Sequence, residues 1–314
     1  MTYDLSIIVP FYNAEKFIIR NFYSCLKISK NINAEIIYID NLSKDNSYIK
    51  IKEKIKNFQN FSIFKTTKKT ENSPGIARNI GIRNAKSKYI VFLDIDDELV
   101  LKNLKFNKYI KNNKSNIIYI KKKEKRINKN LVDDKTQFIK FSKSNLSIFF
   151  KKSINRAAIS IIFNKNFILK HKIFFQKGFY EDIFFTFKAH FYNTKKINIL
   201  NSIIYKRHIT SNSITNSRLS LDHLKYMFLA WKNINDFLQK KLSKKEYENI
   251  KKSIQFRLRG EFVNEYNKIL NENTKQEEKK KFLNFIVNKY KSLIIPNYKV
   301  LTKKDKITKS VLKI

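Results

Sequence analysis

The first hundred residues alternate between short, mainly apolar runs and amphipathic helical patterns, and this alternation most restricts the fold. Apolar residues recur at helical spacing at Ile18, Phe22 and Cys25, as in a helix with one buried face. Strands and helices alternating at this spacing predict a mainly parallel sheet with helices on both faces, an α/β fold. The runs that predict buried strands are Leu5 to Val9, Glu35 to Ile39, Phe61 to Thr66 and Tyr89 to Leu93.

Polar residues follow these predicted strands. Tyr12 comes after the first strand, Asp40 and Asn41 after the second, and Asp94 to Asp97 after the fourth. In open α/β sheets, ligands bind at the carboxyl ends of the strands. The sequence therefore predicts one ligand site at this edge of the sheet.

The acidic turn Asp94-Ile95-Asp96-Asp97 is the sharpest chemical signal. In an extended segment Asp94 and Asp96 lie on the same side, about 7 Å apart. Two carboxylates this close repel each other unless a divalent cation lies between or beside them. The alternative interpretation is that the acidic residues cap a helix beginning near Val100, because a helix N-terminus favours negative charge.

Composition excludes several classes of protein. The 314 residues include only 4 Gly, too far apart for a dinucleotide-binding turn or a P-loop. One Cys excludes an intramolecular disulfide and a Cys-based zinc site. No apolar run approaches the roughly 18 residues of a membrane span, and no signal peptide is recognisable. A cytoplasmic protein is expected.

The formal net charge of +40 has two open interpretations. Lys, Asn and Ile are over-used throughout the chain, so the charge can reflect composition alone. It can also mark a surface that binds polyanions or anionic lipid. Because no zinc-finger spacing or RNP-type motif is present, no specific nucleic acid partner is expected.

Four motifs occur in an order that resembles the family 2 glycosyltransferases. They are SIIVPFYN at residues 6–13, IDNLSKD at 39–45, GIARNIG at 75–81 and YIVFLDIDD at 89–97. Segments 163–169 and 173–183 are similar to the acceptor side of the same family. The resemblance implies a GT-A-like fold with a Rossmann-like sheet: a nucleotide-sugar-binding half at 1–120, an acceptor-binding half at 121–217, and a basic helical region at 218–314.

The resemblance also implies the donor site. This chain has Asn41 where the family usually has Asp, and Leu42 where Gly is common; an amide keeps one acceptor and adds a donor. UDP is the expected nucleotide, and Mn2+ or Mg2+ the expected cofactor, bound by Asp96 and Asp94 with His208 as a third ligand. Residues implied to contact the nucleotide sugar are Pro10, Tyr12 (stacking on the base), Asp40, Asn41, Arg78 (reaching the diphosphate) and Asp94.

For the acceptor side, the resemblance implies a catalytic acidic pair. Glu181-Asp182 matches this pair, with Asp182 as the general base. The flanking residues are aromatic and apolar, and such surroundings raise the pKa of a carboxyl group and strengthen it as a base. The alternative interpretation is that the pair caps a helix from Ile183 to Tyr192. A single displacement assisted by Asp182 would invert the anomeric configuration.

The region after Leu219 has a helical pattern with lysine-rich polar faces and no chemical motif. Two interpretations stay open: amphipathic helices that pack on protein, or a basic surface on the inner leaflet of the membrane. The resemblance favours an inverting, metal-dependent hexosyl- or N-acetylhexosaminyltransferase that extends a bacterial capsule or lipooligosaccharide, acting on a glycan or lipid-linked glycan at the cytoplasmic membrane face. The rival interpretation is a basic membrane- or nucleic-acid-binding protein on a degenerate transferase scaffold.

Overall fold

The computed structural model describes residues 3–67, 73–103, 105–125, 132–133, 146–151, 157–209, 221–271, 277, 280–282 and 284–285. The lysine-rich end after residue 300 lies outside these residues. The chain divides into two compact units, the first formed by residues 1–142 and 155–216 and the second by 143–154 and 217–314. The finer division of the first unit at residue 120 stays a prediction.

One mixed sheet forms the centre of the first unit. Its strands are β1 (Leu5–Phe11), β2 (Ala34–Asp40), β3 (Phe61–Lys65), β4 (Tyr89–Phe92), β5 (Glu98–Leu101), β6 (Ile117–Lys125), β7 (Val132–Asp133), β8 (Ile161–Asn164) and β9 (Asn198–His208). Their order is β3-β2-β1-β4-β8-β6-β9-β5, with β7 paired to β6. Strands β1 to β4 are parallel, β8 runs antiparallel to β4 and β6, and β5 runs antiparallel to β9.

The helices of the first unit are α1 (Ile18–Asn31), α2 (Ser47–Ile55), α3 (Gly75–Asn84), α4 (Lys105–Asn112), α6 (Lys165–Lys170) and α7 (Glu181–Tyr192). A short 3-10 turn, Glu15–Phe17, precedes α1. The four strands predicted in the first hundred residues are confirmed, and so is the helix predicted around Ile18, Phe22 and Cys25. The helix predicted near Val100 is wrong: these residues form β5, because they pair with β9 about a hundred positions later. The acidic turn therefore does not cap a helix.

Two hydrophobic clusters cover the two faces of the sheet. Phe22 on α1 packs on one face with Ile7 and Tyr38, while Ala77 on α3 packs on the other with Ile8. Strands buried on both faces have nearly continuous apolar sequences, which explains the apolar runs. The helices cover the faces of the sheet, and polar loops follow the carboxyl ends of β1, β2 and β4.

Gly81 allows α3 to pack close to the sheet. A Cβ atom at this position would lie 2.4 Å from Ile8 Cγ2 on β1. Atoms that close must move apart, and the packed core leaves little room to do so.

We expect Gly81→Ala to lower the free energy of unfolding by about 1–3 kcal/mol, the usual effect of an overpacked core. Gly260→Ala in α9 (Lys244–Asn271) is the matched control, because among the described residues, apart from the helix's own nearby backbone, no heavy atom lies within 4 Å of a Cβ built there. The control should be neutral or stabilising by about 0.5–1 kcal/mol. Urea denaturation followed by circular dichroism measures both, and equal effects would contradict the close approach.

The second unit is helical, with α5 (Ser147–Lys151), α8 (Leu221–Lys241) and α9. Trp231 is fully buried, and its ring lies 6.1 Å from that of Phe149 and 5.3 Å from the Arg257 guanidinium. No described helix combines the length and the apolarity needed to cross a bilayer. Contact of this unit with a membrane surface stays a prediction.

Candidate active site

Asp40, the last residue of β2, is completely buried. Its Oδ1 accepts a hydrogen bond of 2.9 Å from the Ser43 N–H. Among the described residues, none donates a hydrogen bond to Oδ2, and the Lys65 ammonium lies 3.7 Å from it. A buried oxygen of this kind is costly unless it finds a donor, so Oδ2 is a suitable acceptor for a ligand N–H.

Asn41, the departure from the family pattern, connects two neighbouring segments. Its Oδ1 accepts a hydrogen bond of 3.2 Å from the Thr66 hydroxyl, and its Nδ2 donates to the Ser73 carbonyl at 3.4 Å. An Asp here could keep the first bond but could not donate the second. The chain then turns through Leu42 with a φ of 60°, a left-handed conformation that favours Gly. This agrees with the Gly common at that position.

The loop after β1 is tied to the loop after β2. The Asn13 N–H donates to Ser43 Oγ at 3.0 Å, and Asn13 Oδ1 accepts from the Lys44 N–H at 2.8 Å. Tyr12 is half-buried beside them, and Pro10 is buried within β1. Tyr12 and Asp40 therefore share one edge of the sheet, while stacking of Tyr12 on a base stays a prediction.

Arg78 is the centre of a buried ion network. It projects from α3, is only 4% exposed, and donates from Nη2 to Asp94 Oδ1 at 2.7 Å and from Nη1 to Glu181 Oε1 at 2.6 Å. Its guanidinium lies 5.3 Å from the centre of the Phe175 ring. Burial is the largest influence and lowers the pKa of Arg78, but the charges of Asp94 and Glu181 outweigh it and raise the pKa overall.

This network joins the predicted donor side of the site, which includes Asp94, to the predicted acceptor side, which includes Glu181. The predicted contact of Arg78 with a diphosphate is untested, and here both terminal nitrogens bind carboxylates. Gly75, at the start of α3, makes the junction possible: a Cβ there would lie 2.6 Å from the Gln176 carbonyl oxygen and 3.0 Å from Glu181 Cγ. The ion pair with Glu181 links residues 103 positions apart, and no local sequence pattern signals it.

Asp97 holds the acidic turn to the end of β9. Its Oδ2 accepts from the Tyr205 hydroxyl at 2.6 Å, and its Oδ1 accepts from the His208 N–H at 2.7 Å. Burial, and then the charges of Asp96 and Asp94, raise the pKa of Asp97 to about 8. Its side chain is 3% exposed, so we assign it a structural role that sequence reasoning missed.

Asp96 is the partly buried acid between Asp94 and Asp97. Burial, followed by the charge of Asp94, raises its pKa to about 6, and Asp94 itself is already paired with Arg78. Within the described parts of the chain, no three His, Cys, Asp or Glu residues form a metal-binding group. Mg2+ is often held by only one or two carboxylates together with substrate phosphates. Asp96 and Asp94 fit a cation site of that kind.

His208 contacts a different acid. Its Nε2 is hydrogen-bonded to Glu98 Oε1, which also accepts from Lys206 Nζ at 3.1 Å. Burial, and then the charge of Arg20, lower the pKa of His208. A role as third metal ligand would require the ring to leave Glu98, and it stays a prediction.

Glu181 and Asp182 lie in the first turn of α7, after Tyr180, which has a left-handed φ of 59°. Burial is the main cause that raises the pKa of Glu181 to about 7 and that of Asp182 above its usual range. Glu181 is held by Arg78, whereas the half-buried Asp182 accepts a hydrogen bond from the Ala158 N–H. Their position at a helix N-terminus also suits the capping interpretation, so the catalytic role of Asp182 stays a prediction.

Comparison with known proteins adds independent evidence. The model of the family described as "Glycosyl transferase family 2" matches residues 6–174. An uncharacterized glycosyltransferase of Haemophilus influenzae is 42% identical over 93 residues, which are 30% of this chain and 36% of that protein. The poly(ribitol-phosphate) beta-N-acetylglucosaminyltransferase TarP of Staphylococcus aureus is 31% identical over 180 residues, 55% of this chain and 52% of TarP. The chain thus spans about half or less of these curated relatives.

A solved structure has a similar fold. S. aureus TarS, crystallised in complex with UDP-GlcNAc, superposes with a TM-score of 0.69 and 22% sequence identity. The alignment covers 100% of this chain and 91% of the TarS chain. The expected α/β architecture with a helical C-terminal part is confirmed.

Proposed function

The chain belongs to glycosyl transferase family 2, and on this premise we propose that it is an inverting, metal-dependent transferase of a hexose or N-acetylhexosamine. The donor is a UDP-sugar and the acceptor a hydroxyl of a bacterial surface glycan such as a capsule or lipooligosaccharide. The buried link from Asp94 through Arg78 to Glu181 is the observation that supports this most strongly. It connects the acidic turn of the donor side to the acidic pair of the acceptor side.

The choice of UDP rests on Asp40. Its Oδ2 is a buried acceptor without a hydrogen-bond donor among the described residues. The ring nitrogen N3 of uracil has a hydrogen to donate, whereas N3 of cytosine is itself an acceptor. The amide of Asn41 is engaged with Thr66 and Ser73, so Asp40 is the residue proposed to accept the uracil N3–H. A relative of the same fold, TarS, binds UDP-GlcNAc.

Asp96, together with Asp94, would hold Mn2+ or Mg2+, and the cation would supply charge neutralisation on the departing diphosphate. Arg78 fixes the orientation of Asp94 from the protein side. Burial and the charge of Asp94 raise the pKa of Asp96 to about 6, so a nearby cation would stabilise its ionised form. The proposed cofactor would therefore act beside two neighbouring carboxylates.

Asp182 is the proposed base. It accepts the proton of the acceptor hydroxyl, the hydroxyl oxygen bonds to the anomeric carbon, and the bond from that carbon to the diphosphate oxygen breaks. One displacement inverts the configuration, so an α-linked donor gives a β-linked product. The raised pKa of Asp182 makes it a stronger proton acceptor than an ordinary carboxylate.

The proposed place of action is the cytoplasmic face of the inner membrane. The lysines at the end of α8 and the start of α9, Lys240, Lys241, Lys244 and Lys245, are exposed. Each basic residue near an anionic lipid surface contributes roughly 1 kcal/mol of attraction. A lipid-linked glycan acceptor would be found there.

Calorimetric titration with UDP, CDP and GDP, each with Mn2+ and each with a chelator, tests the proposal. We expect that, of the three nucleotides, only UDP binds strongly in the presence of Mn2+. Removal of the metal or Asp96→Ala should weaken UDP binding at least about tenfold, a loss of about 1.4 kcal/mol. Asp222→Ala, an exposed aspartate in the first turn of α8, is the control and should leave the affinity unchanged. Folded protein that binds none of the three nucleotides would refute the assignment.

A further inference from the structure

The loops that follow β1 and β2 are joined by a reciprocal pair of hydrogen bonds. The Asn13 N–H donates to Ser43 Oγ at 3.0 Å, and the Lys44 N–H donates to Asn13 Oδ1 at 2.8 Å. These bonds connect residues 30 and 31 positions apart in the chain. We call Asn13, Ser43 and Lys44 the loop clamp. It lies at the carboxyl ends of two neighbouring strands, where the nucleotide base is proposed to bind.

The loop clamp is continuous with Asp40, the proposed acceptor of the uracil N3–H. The Ser43 N–H donates to Asp40 Oδ1 at 2.9 Å, so the protein itself occupies that oxygen. Oδ2 is then the buried oxygen to which no described residue donates a hydrogen bond. Ser43 therefore binds the carboxylate of Asp40 through its N–H and the neighbouring loop through its Oγ.

The other end of the loop clamp fixes the position of Tyr12. Tyr12 immediately precedes Asn13, which has a left-handed φ of 46°, a conformation that Asn adopts more readily than most residues. Phe11 is the register partner of Asp40, and the Asn41 N–H donates to the Phe11 carbonyl at 2.8 Å. A closed circuit of bonds therefore passes through both Tyr12 and Asp40.

A second set of hydrogen bonds supports the loop clamp from the protein interior. The Ala14 N–H donates to Ser47 Oγ at 2.8 Å, and Ser47 is completely buried. Asp45 accepts from the Glu15 N–H at 3.3 Å and from the Ser47 N–H at 3.0 Å. Burial raises the pKa of Asp45, but the hydrogen bonds from Ser47 outweigh it and lower the pKa overall. The residues that lead into α1 are therefore held against the start of α2.

We propose that Asn13 and Ser43 are positioning residues that set the base selectivity of the donor site. This inference rests on the proposed binding of UDP. A base stacked on Tyr12 can present its N3–H to Asp40 only if the ring and the carboxylate keep a fixed separation, because a hydrogen bond weakens steeply as its angle departs from linearity. The loop clamp fixes that separation before the nucleotide arrives, so binding does not have to order the two loops.

A purely structural role for the loop clamp predicts a different result. Loops held together only for stability would, when released, weaken binding of every part of the nucleotide. The diphosphate and its cation are proposed to bind beside Asp94 and Asp96, on a separate segment that follows β4. Release of the loop clamp should therefore reduce recognition of the base and leave the contribution of the cation intact.

The test compares Asn13→Gly and Ser43→Ala with two matched controls. Asn13→Gly permits the left-handed backbone but removes the acceptor Oδ1, and Ser43→Ala removes Oγ. In the controls, Asn84→Gly and Ser29→Ala, each substitution removes a side-chain hydrogen bond to a carbonyl of its own helix. Asn84 is exposed, as Asn13 is, and Ser29 is half-buried, as Ser43 is.

Calorimetric titration measures UDP with Mn2+, UDP with a chelator, and CDP with Mn2+, with weak ligands measured by displacement. We expect both clamp variants to bind UDP with Mn2+ at least about tenfold more weakly, the size of effect that follows from losing a hydrogen bond that orders the site. Their preference for UDP over CDP should fall at least about threefold. The factor by which the chelator weakens UDP binding should change less than about twofold, and both controls should match the wild type.

Unchanged UDP affinity in the clamp variants, or equal losses for UDP and CDP, would overturn the inference. So would a clamp variant whose UDP binding no longer responds to Mn2+, because the whole donor site would then be disrupted. Ser43→Thr keeps a hydroxyl acceptor and should bind UDP within about threefold of the wild type. An affinity as low as that of Ser43→Ala would also contradict the proposed role.

Two features of the design keep the outcomes distinct. Asn13→Gly and Ser43→Ala remove different atoms of the same loop clamp, so either variant decides the question if circular dichroism shows that the other does not fold. Wild-type protein that binds no nucleotide would refute the proposed transferase. Wild-type protein that binds UDP, with clamp variants that bind it equally well, would refute only the role of Asn13 and Ser43.

Discussion

Replacing Asp182 with Asn is expected to slow sugar transfer about 1,000-fold while leaving the affinity for UDP within about twofold, since general base catalysis contributes roughly 100- to 10,000-fold. The amide keeps the shape of the side chain and still accepts a hydrogen bond from the Ala158 N–H. It cannot take up the proton of the acceptor hydroxyl. Initial rates of UDP release with acceptor present, and calorimetry with UDP, separate the two effects.

The same substitution at Asp222 is the matched control. Asp222 also lies in the first turn of a helix, α8, but its side chain is 59% exposed. Asp222→Asn should leave the transfer rate unchanged. A transfer rate in Asp182→Asn equal to that of the control would remove Asp182 as the base and favour the helix-capping interpretation.

The pH profile gives a second readout of Asp182. Only the ionised carboxylate is a base, so kcat/KM of the wild type should fall as the pH drops through the pKa of this group. Burial raises that pKa, so the fall should begin above the ordinary value of about 3.9 for Asp. Because Glu181, with its pKa raised to about 7, is adjacent, the profile reports the pair rather than one residue. The residual activity of Asp182→Asn should lack this acid limb.

Arg78→Gln is expected to lower the free energy of unfolding by about 3–5 kcal/mol, the usual effect of breaking a buried ion pair. The substitution leaves Glu181 with a buried carboxylate, 9% exposed, and no cation. Asp94, with a side chain 33% exposed, remains partly solvated, so most of the loss should come from Glu181. Chemical denaturation followed by circular dichroism measures the change.

Arg83→Gln on the same helix is the control for this experiment. Arg83 is exposed and stacks its guanidinium 4.7 Å from the Phe174 ring, and surface substitutions usually change stability by less than about 0.5 kcal/mol. The double variant Arg78→Gln/Glu181→Gln should recover part of the loss, because it removes the unpaired carboxylate. An Arg78→Gln protein as stable as Arg83→Gln would show that the network does not stabilise the fold.

Most of the fold of the first hundred residues follows from local patterns. The strands β1, β2 and β4 are buried along their whole length, and that burial is visible in the sequence as short, nearly continuous apolar runs. The helix predicted near Val100 was wrong because the strand that forms there depends on a distant partner. Residues Glu98–Leu101 are one acid followed by three apolar residues, and their partner β9 lies about a hundred residues away. Nothing local therefore distinguishes a strand from a helix start.

Some features of the candidate site also follow from the sequence, whereas others depend on the tertiary structure. The sequence alone determined which residues follow the strands: Tyr12, Asp40 and the acidic turn from Asp94 lie at one edge because parallel strands end together. Only the tertiary structure decided how their charges are compensated. Arg78 reaches Glu181 across 103 residues and His208 reaches Glu98 across 110, and ion pairs depend on distances of a few ångströms that packing, rather than sequence spacing, sets.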